Sequence, residues 1–228
     1  AAGGVGGSGI LASVGVHLGM RGGAEAALGT ADLSGVTVGV IGAGKVGGRL
    51  IGHLIRDSVR VIAMDPSAAA RSSLDAEYPN SITWVDSLPE LLAYRPQVLS
   101  PNALGGAISE SLVDDLASAE VRLVCGGANN QLATDRVGDL LDHAGIVYAP
   151  DFCVNCGGVI QVAEELTGAD LDRARATVER VFDTTRSVLE RARGEGITPV
   201  RAAELEAQAR MAASLPEGPL TGATPGTG

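Results

Sequence analysis

Residues 42–47, with the sequence GAGKVG, have the types and spacing that bind a phosphate chain, because they fit the pattern G-x-G-x-x-G. Gly42 permits a tight turn, Gly44 lets a pyrophosphate approach the backbone, and Gly47 lets the following helix pack closely on the preceding strand. The N–H groups at the start of that helix add hydrogen-bond donors and a partial positive charge. The motif therefore predicts a dinucleotide site. Its expected contact residues are Gly42, Gly44, Lys45, Val46 and Gly47.

The elements around this motif are those that such a site requires. A β-branched run at residues 36–41 predicts a buried strand, residues 45–57 predict a helix, and residues 59–64 predict a second strand. Asp65 and Pro66 follow that second strand. An acid at this place accepts hydrogen bonds from the adenosine ribose, and it would repel a 2′-phosphate. Asp65, with Pro66 as a neighbouring contact, therefore predicts binding of NAD in preference to NADP.

Composition and charge exclude several classes of function. The chain has 228 residues, of which 45% are hydrophobic, and a formal net charge of −10. This charge disfavours nucleic acids and anionic membranes as partners. Three cysteines do not build a disulfide framework, and no apolar run is long enough to span a bilayer. We expect a reduced, cytoplasmic protein that acts on a small molecule.

Apolar runs alternate with helical patterns along most of the chain, which predicts βαβ units. Further strands are predicted at residues 82–85, 98–99, 121–124 and 146–148. Further helices are predicted at residues 10–28, 67–78, 88–93, 109–116 and 131–144. The predicted fold class is α/β, a Rossmann-type doubly wound parallel sheet with flanking N- and C-terminal helices.

The expected organisation is one dinucleotide-binding domain between two tails. Residues 1–9 are mostly glycine and other small residues and predict a flexible tail. Residues 10–213 form the domain, within which residues 157–213 are predicted to be a C-terminal helical segment. Residues 214–228 are rich in Pro, Gly and Thr and predict a disordered tail.

Several further blocks make the sequence similar to a known family. They are GVHLGM at 15–20, LSG at 33–35, PNALGG at 101–106, ANNQL at 128–132, YAPD at 148–151, Asn155, and GGVI at 157–160. Together with the glycine motif, they resemble the C-terminal, cofactor-binding domain of the Glu/Leu/Phe/Val dehydrogenases, most of all the leucine, valine and phenylalanine branch. The resemblance covers most of residues 10–213.

This resemblance implies roles for four residues that follow predicted strands. Ala103 would lie against the nicotinamide half of NAD, and Asn129 near the nicotinamide ribose. Asn102 and Asn155 would face both the cofactor and the substrate, although the family commonly has a small residue or cysteine in place of Asn102. Open α/β sheets bind ligands at such strand ends. For Asn129 and Asn155, amides that only cap loops are the alternative.

The resemblance also implies residues that this sequence does not contain. In the family, an N-terminal catalytic domain supplies two active-site lysines and an aspartate, which hold the substrate carboxylate and activate water. Lys45, inside the glycine motif, is the only lysine here. We therefore expect that these residues alone do not run oxidative deamination by the family's route, and no catalytic residue is assigned.

Other reactive side chains give weaker signals. Cys153 and Cys156 form one C-x-x-C pair without the further ligands that a zinc site needs, so no metal is predicted. Asp151 is expected to cap the turn that follows it. His17 falls in a segment that lines the interdomain cleft in the family. The histidines expected to be surface or packing residues on helices are His53 and His143.

Three functions fit these features. Reduction of an already protonated imine needs only a bound cofactor and a shaped pocket, so the first is a stand-alone NAD(P)-dependent imine reductase. The second is the cofactor-binding half of a split or truncated leucine-, valine- or phenylalanine-type dehydrogenase, whose substrate is an amino or keto acid. The third is a non-catalytic dinucleotide-binding regulator. Because a bare site of this kind leaves the nicotinamide open to water, we expect a second copy of the chain to cover it in a homodimer.

Overall fold

The computed structural model describes residues 8–155 and 176–214. The expectations for residues 1–7, 156–175 and 215–228, which include most of both tails and the first part of the C-terminal helical segment, lie outside these ranges. Cys153 is described and Cys156 is not, so the C-x-x-C pair is not tested.

Within the described part of the chain, six parallel strands form one sheet. They are β1 Thr37–Ile41, β2 Arg60–Met64, β3 Ile82–Trp84, β4 Val98–Pro101, β5 Leu123–Val124 and β6 Val147–Tyr148. Their order is β3-β2-β1-β4-β5-β6, with Val38 of β1 opposite Val61 of β2 on one side and Val98 of β4 on the other. This order is that of a doubly wound dinucleotide-binding sheet, and it confirms the predicted fold class.

Helices connect the strands and flank the sheet. They are α1 Ser8–Leu28, α2 Gly47–Arg56, α3 Ala68–Glu77, α4 Leu88–Ala93, α5 Val113–Ser118, α6 Arg136–His143, α7 Asp151–Val154, α8 Val181–Glu195 and α9 Pro199–Ser214. The hydroxyls of Ser67 and Ser87 accept N–H groups in the first turns of α3 and α4, as N-caps do. No helix in residues 8–155 or 176–214 combines the length and apolar character needed to cross a membrane.

The two faces of the sheet bury separate apolar clusters, because alternate residues of a strand point to opposite faces. Val38 and Val40 belong to one cluster, which includes Leu50 of α2. Ile62 and Leu99 belong to the other. That second cluster is completed by residues of α4, α5 and α6, among them Leu91, Leu116 and Leu141. The strand ends, where the site lies, are thus fixed by packing on both sides.

Helix α1 lies close to its neighbours because glycines line its contact faces. A Cβ on Gly23 would lie 2.9 Å from the Leu123 side chain of β5, and a Cβ on Gly22 would lie 2.8 Å from the carbonyl oxygen of Phe182 on α8. A Cβ on Gly19 would overlap Val154 of α7. The N-terminal helix is therefore built into the core.

The predicted helix at residues 131–144 begins only at Arg136. Ile108 donates its N–H to the Gln131 carbonyl at 3.0 Å and accepts from the Ala133 N–H at 2.9 Å. Residues 131–133 therefore pair with Ile108 as an isolated parallel bridge and do not form a helical turn. The predicted helix at 109–116 is also divided, since a 3-10 turn at Glu110–Leu112 precedes α5.

Candidate dinucleotide-binding site

The glycine motif forms a tight turn directly after β1. Gly42 has a φ of +94°, in the left-handed region that favours glycine, and its N–H donates to the Met64 carbonyl of β2 at 2.8 Å. A Cβ on Gly47 would overlap the Gly42 carbonyl oxygen. Helix α2 can therefore begin this close to β1 only because residue 47 is glycine, as the motif predicts.

The outer side of this turn is open and carries hydrogen-bond donors. A Cβ on Gly44 would have no heavy atom within 4 Å. The backbone N–H groups of Gly44, Lys45 and Val46 donate no hydrogen bond to any residue that the structure describes. They stand at the start of α2, where the helix dipole adds a partial positive charge. The turn is thus an open cradle of donors that fits a pyrophosphate.

Asp65 directly follows β2 and touches the glycine turn. Its Oδ2 accepts the N–H of Ala43 at 2.7 Å, and its Oδ1 accepts the N–H of Ser67 at 2.8 Å. These bonds fix the carboxylate beside the cradle. Because each carboxylate oxygen can accept two hydrogen bonds, Asp65 retains the capacity to accept from ribose hydroxyls.

A pocket opens beside Asp65. It is lined by Met64, Asp65, Pro66, Ala68, Arg71 and Asp86. Arg71 of α3 donates from Nε to the Asp65 carbonyl at 2.7 Å and from Nη2 to the Val85 carbonyl at 3.0 Å. Its Nη1 lies 2.8 Å from Oδ1 of Asp86. Sequence reasoning did not find Arg71 or Asp86, because their contacts join a helix to the loop after a different strand.

The loop after β4 meets the glycine turn. A Cβ on Gly42 would lie 2.8 Å from the Cβ of Ala103, and the Asn102 N–H donates to the Ile41 carbonyl at 2.7 Å. Strands β1 and β4 are the neighbours at which the strand order reverses, so this contact lies at the topological switch point where doubly wound sheets bind ligands. Ala103 is exposed there.

Side-chain amides fasten the loops that follow β4, β5 and β6. The Oδ1 of Asn102 accepts the Gly127 N–H at 2.8 Å, and its Nδ2 donates to the Ser100 carbonyl at 2.9 Å. The Nδ2 of Asn155 donates to the Gly127 carbonyl at 2.7 Å and to Oδ1 of Asn129 at 2.9 Å. The three predicted asparagines therefore lie together, and the contacts of Asn155 are those of a loop-holding amide.

The loop after β5 is also held by the side chain of one of its own residues, Gln131. Gln131 is fully buried, and its Nε2 donates to the carbonyls of Gly126 at 2.7 Å and Ala128 at 3.0 Å. Gln131 belongs to the ANNQL block at 128–132, but its residue type and position predict no role for it. The amide holds the loop that presents Asn129.

Asp151 does not cap its own helix, contrary to expectation, since α7 has no side-chain cap hydrogen bond. Its Oδ2 accepts the Asn130 N–H at 2.7 Å, and its Oδ1 accepts the Tyr148 hydroxyl at 2.8 Å. Burial, and after it the Asp151 charge, raises the pKa of Tyr148 well above its usual value. Tyr148 therefore stays a neutral donor, and Asp151 links the loop after β6 to the loop after β5.

The histidines are not among the residues whose hydrogen bonds hold the described loops of the site, although His53 shares a pocket with Gly44 and Lys45. Nε2 of His17 lies 2.6 Å from Oδ2 of Asp57. Asp57 follows the last residue of α2, whereas the glycine turn precedes the first residue of that helix. The His17 ring stacks on that of His53, with 5.2 Å between centroids. His53 is half-buried and His143 is exposed on α6, which fits the packing and surface positions expected of them.

Two comparisons of sequence identify relatives of the chain. The family model described as Glutamate/Leucine/Phenylalanine/Valine dehydrogenase matches residues 68–215. The valine dehydrogenase of Streptomyces albus is 41% identical over 210 residues, which are 92% of this chain and 57% of that protein. The leucine dehydrogenase of Bacillus cereus is 35% identical over 202 residues, which are 89% of this chain and 54% of that protein.

A comparison of structures agrees with these matches. The crystal structure of L-tryptophan dehydrogenase from Nostoc punctiforme superposes with a TM-score of 0.82 at 28% identity, covering 90% of this chain and 60% of that one. The chain thus spans little more than half the length of the relatives it matches. Since the family model covers more than half of the chain, the chain belongs to the Glu/Leu/Phe/Val dehydrogenase family.

Proposed function

We propose that this chain binds NAD and is the coenzyme-binding part of a leucine-, valine- or phenylalanine-type amino-acid dehydrogenase. One observation carries the proposal: the loop after β4 lies against the glycine turn, with Ala103 beside Gly42, at the switch point of the sheet. Relatives named valine dehydrogenase and leucine dehydrogenase support the reaction class.

In this proposal the residues at the carboxyl ends of the strands bind different parts of the coenzyme. The N–H groups of the glycine turn bind the pyrophosphate, and Asp65 accepts hydrogen bonds from the adenosine ribose. Ala103, Asn129 and Asn155 flank the nicotinamide half, while Asn102 holds the loops that carry them. Bound NAD supplies the chemistry of hydride transfer. The remaining proposed contacts are Lys45, Val46 and Pro66.

The proposed substrate is an amino acid and its 2-keto acid. Lys45 is the only lysine of the sequence, and it lies on the glycine turn. A base that activates water would therefore come from another segment or another chain, which would also cover the nicotinamide. The homodimer expected from the sequence is one way to cover it and stays a prediction.

A second candidate is the stand-alone imine reductase. Its support is that Lys45, the only lysine of the sequence, lies in the glycine turn, so these residues supply no second lysine to activate water. Reduction of an imine that already carries its proton needs no water-activating base. This reaction would then require only coenzyme, substrate and a cover that excludes water.

Coenzyme binding is tested by titration calorimetry with NAD⁺ and NADH. Gly44→Val adds a side chain on the open side of the turn, so we expect a folded protein whose affinity for NAD⁺ falls at least about tenfold, because the pyrophosphate loses close backbone approach. Gly194→Val is the matched control, since that position in α8 is also open. A folded wild-type chain that gives no binding heat with either coenzyme would overturn the proposal.

Turnover separates the candidate functions once binding is established. Reduction of a cyclic imine by the chain alone supports the reductase. Oxidation of a branched-chain or aromatic amino acid that appears only when a lysine-bearing catalytic domain is added supports the dehydrogenase part. Binding of NAD⁺ with neither reaction supports the regulator.

A further inference from the structure

The pocket beside Asp65 contains a cation that would affect the choice between two coenzymes. NADP differs from NAD by a phosphate on the adenosine ribose, and such a phosphate carries close to two negative charges at neutral pH. Among the six residues that line this pocket, Arg71 is the cation. A free guanidinium is the side chain best suited to bind a phosphate.

Arg71 is held in one orientation by groups that do not depend on a ligand. Nε and Nη2 donate to the backbone carbonyls of Asp65 and Val85. The guanidinium also lies over the ring of Trp84, with Cζ 5.4 Å from the centroid. Its side chain is 25% exposed. The guanidinium is therefore an ordered part of the pocket wall.

Asp86 neutralises this cation. Its Oδ1 lies 2.8 Å from Nη1 of Arg71, the guanidinium nitrogen that does not donate to a backbone carbonyl. The Asp86 side chain is itself 81% exposed, so it holds Arg71 from the solvent side. With Asp65, the pocket carries two negative side chains against one positive.

We propose that Asp86 is a second determinant of coenzyme choice. Arg71 already lies in the adenosine pocket. By pairing with Arg71, Asp86 prevents it from binding the 2′-phosphate of NADP. Asp65 then excludes the phosphate by its own charge, and Asp86 excludes it by occupying the arginine. This inference rests on the proposed function, in which the pocket takes the adenosine ribose.

Removal of the Asp86 charge tests the inference by binding alone. Asp86→Asn leaves Arg71 attached to both carbonyls, and it keeps the fold because exposed ion pairs add little stability. We expect the affinity for NADP⁺ relative to NAD⁺ to rise roughly five- to tenfold, the effect of one charge near the surface. The gain should shrink at high salt, which screens such charges.

The matched control is Asp115→Asn, which removes the same charge from an exposed position on α5. It should leave the ratio of NADP⁺ to NAD⁺ affinity at the wild-type value. A second substitution, Arg71→Gln in the Asp86→Asn protein, should cancel the gain. Arg71→Lys in the same background keeps the charge but loses the planar fork that reaches both carbonyls, and it should cancel most of the gain.

The outcomes distinguish this inference from the proposed function. If the wild-type chain binds neither coenzyme, the proposed function fails and the inference fails with it. If the chain binds NAD⁺ and Asp86→Asn has the same affinity ratio as Asp115→Asn, the inference is wrong and the proposed function stands. A gain that persists without Arg71 would also overturn the inference, because it would arise from net charge alone.

Discussion

The carboxylate of Asp151 accepts the backbone N–H of Asn130 at 2.7 Å, across the gap between the loops after β6 and β5. Asn130 has a φ of +51°, a left-handed conformation that few residues other than glycine adopt and for which asparagine is enriched. Its carbonyl in turn accepts the Gly106 N–H at 2.7 Å. One buried hydroxyl, that of Tyr148, orients Asp151 and thereby three loops of the site.

Tyr148→Phe removes only that hydroxyl. We expect the free energy of unfolding to fall by about 1.5–3 kcal/mol, the value of a hydrogen bond to a charged group, as measured by urea denaturation. The affinity for NAD⁺ should also fall, since the loop bearing Asn129 loses an anchor. Tyr94→Phe is the control, because the Tyr94 ring is partly exposed. Equal effects of the two substitutions would show that the hydroxyl does not orient the loop.

Two glycines of the motif should differ in their tolerance of alanine. Gly47→Ala would place a Cβ on the Gly42 carbonyl oxygen, which only a backbone shift relieves, so we expect a loss of about 2–3 kcal/mol in unfolding free energy. Gly44→Ala meets no atom within 4 Å and should change stability by less than about 0.5 kcal/mol. Thermal and urea unfolding measure both. A Gly47→Ala protein as stable as wild type would contradict the close packing of α2 on β1.

The stability of the chain should depend on pH through His53. Burial, then the charges of His17 and Arg56, lower the pKa of His53 from 6.5 to about 4, against the opposing charge of Asp57. In the unfolded chain His53 therefore takes up a proton below pH 6.5, whereas in the folded chain it does so only below about pH 4. Stability is lost as pH falls through this window. Because His53 is only half-buried, solvent screening reduces the loss to about 1–2 kcal/mol.

His53→Gln removes this titration. Urea denaturation of wild type and variant between pH 7 and pH 4 should show the variant losing less stability as pH falls, while Ser13 keeps a polar neighbour for its hydroxyl. Parallel pH profiles for the two proteins would contradict the assignment to His53.

Gly19 and Val154 should behave as a coupled pair. Gly19→Ala places a Cβ on the Val154 side chain and should destabilise the chain by about 1–3 kcal/mol, although alanine is the better helix former. Val154→Ala opens space at the same point, so the double variant should be more stable than the sum of the single effects by at least about 1 kcal/mol. Gly194→Ala, in open space on α8, should be neutral or stabilising. Strict additivity of Gly19→Ala and Val154→Ala would show that the two helices adjust independently.

The features that could be predicted from sequence are those whose partners are close along the chain. The glycine turn needs only six consecutive residues and the strand before them, and Asp65 follows β2, so the cradle and its acid are placed by local pattern. The helix predicted from residue 131 begins only at Arg136, because Gln131 and Ala133 pair with Ile108, and local propensity yields to such tertiary pairing.

The features that could not be predicted depend on which side chains the fold brings together. In the sequence, Arg71 is an ordinary helix residue and Asp86 an ordinary loop residue, and nothing predicts that they interact. They meet because the fold places α3 beside the end of β3. Asp151 has the residue type of a helix cap, yet its carboxylate turns to Asn130 because Tyr148 is buried beneath it. A periodic pattern identifies the face of an element but not the partner that it meets.

Strands β1 and β4 pair with Val38 opposite Val98. The stretch of sequence that separates these two residues includes everything from the glycine turn to β3. Parallel pairing over such a separation forms slowly, because a long loop must close before the contact is made. The cleft at the switch point, where we propose that the dinucleotide binds, exists only after that closure. A ligand held there would therefore leave the refolding rate unchanged and would slow the unfolding rate. It would lengthen the lifetime of the folded state without shortening the time that the chain needs to fold.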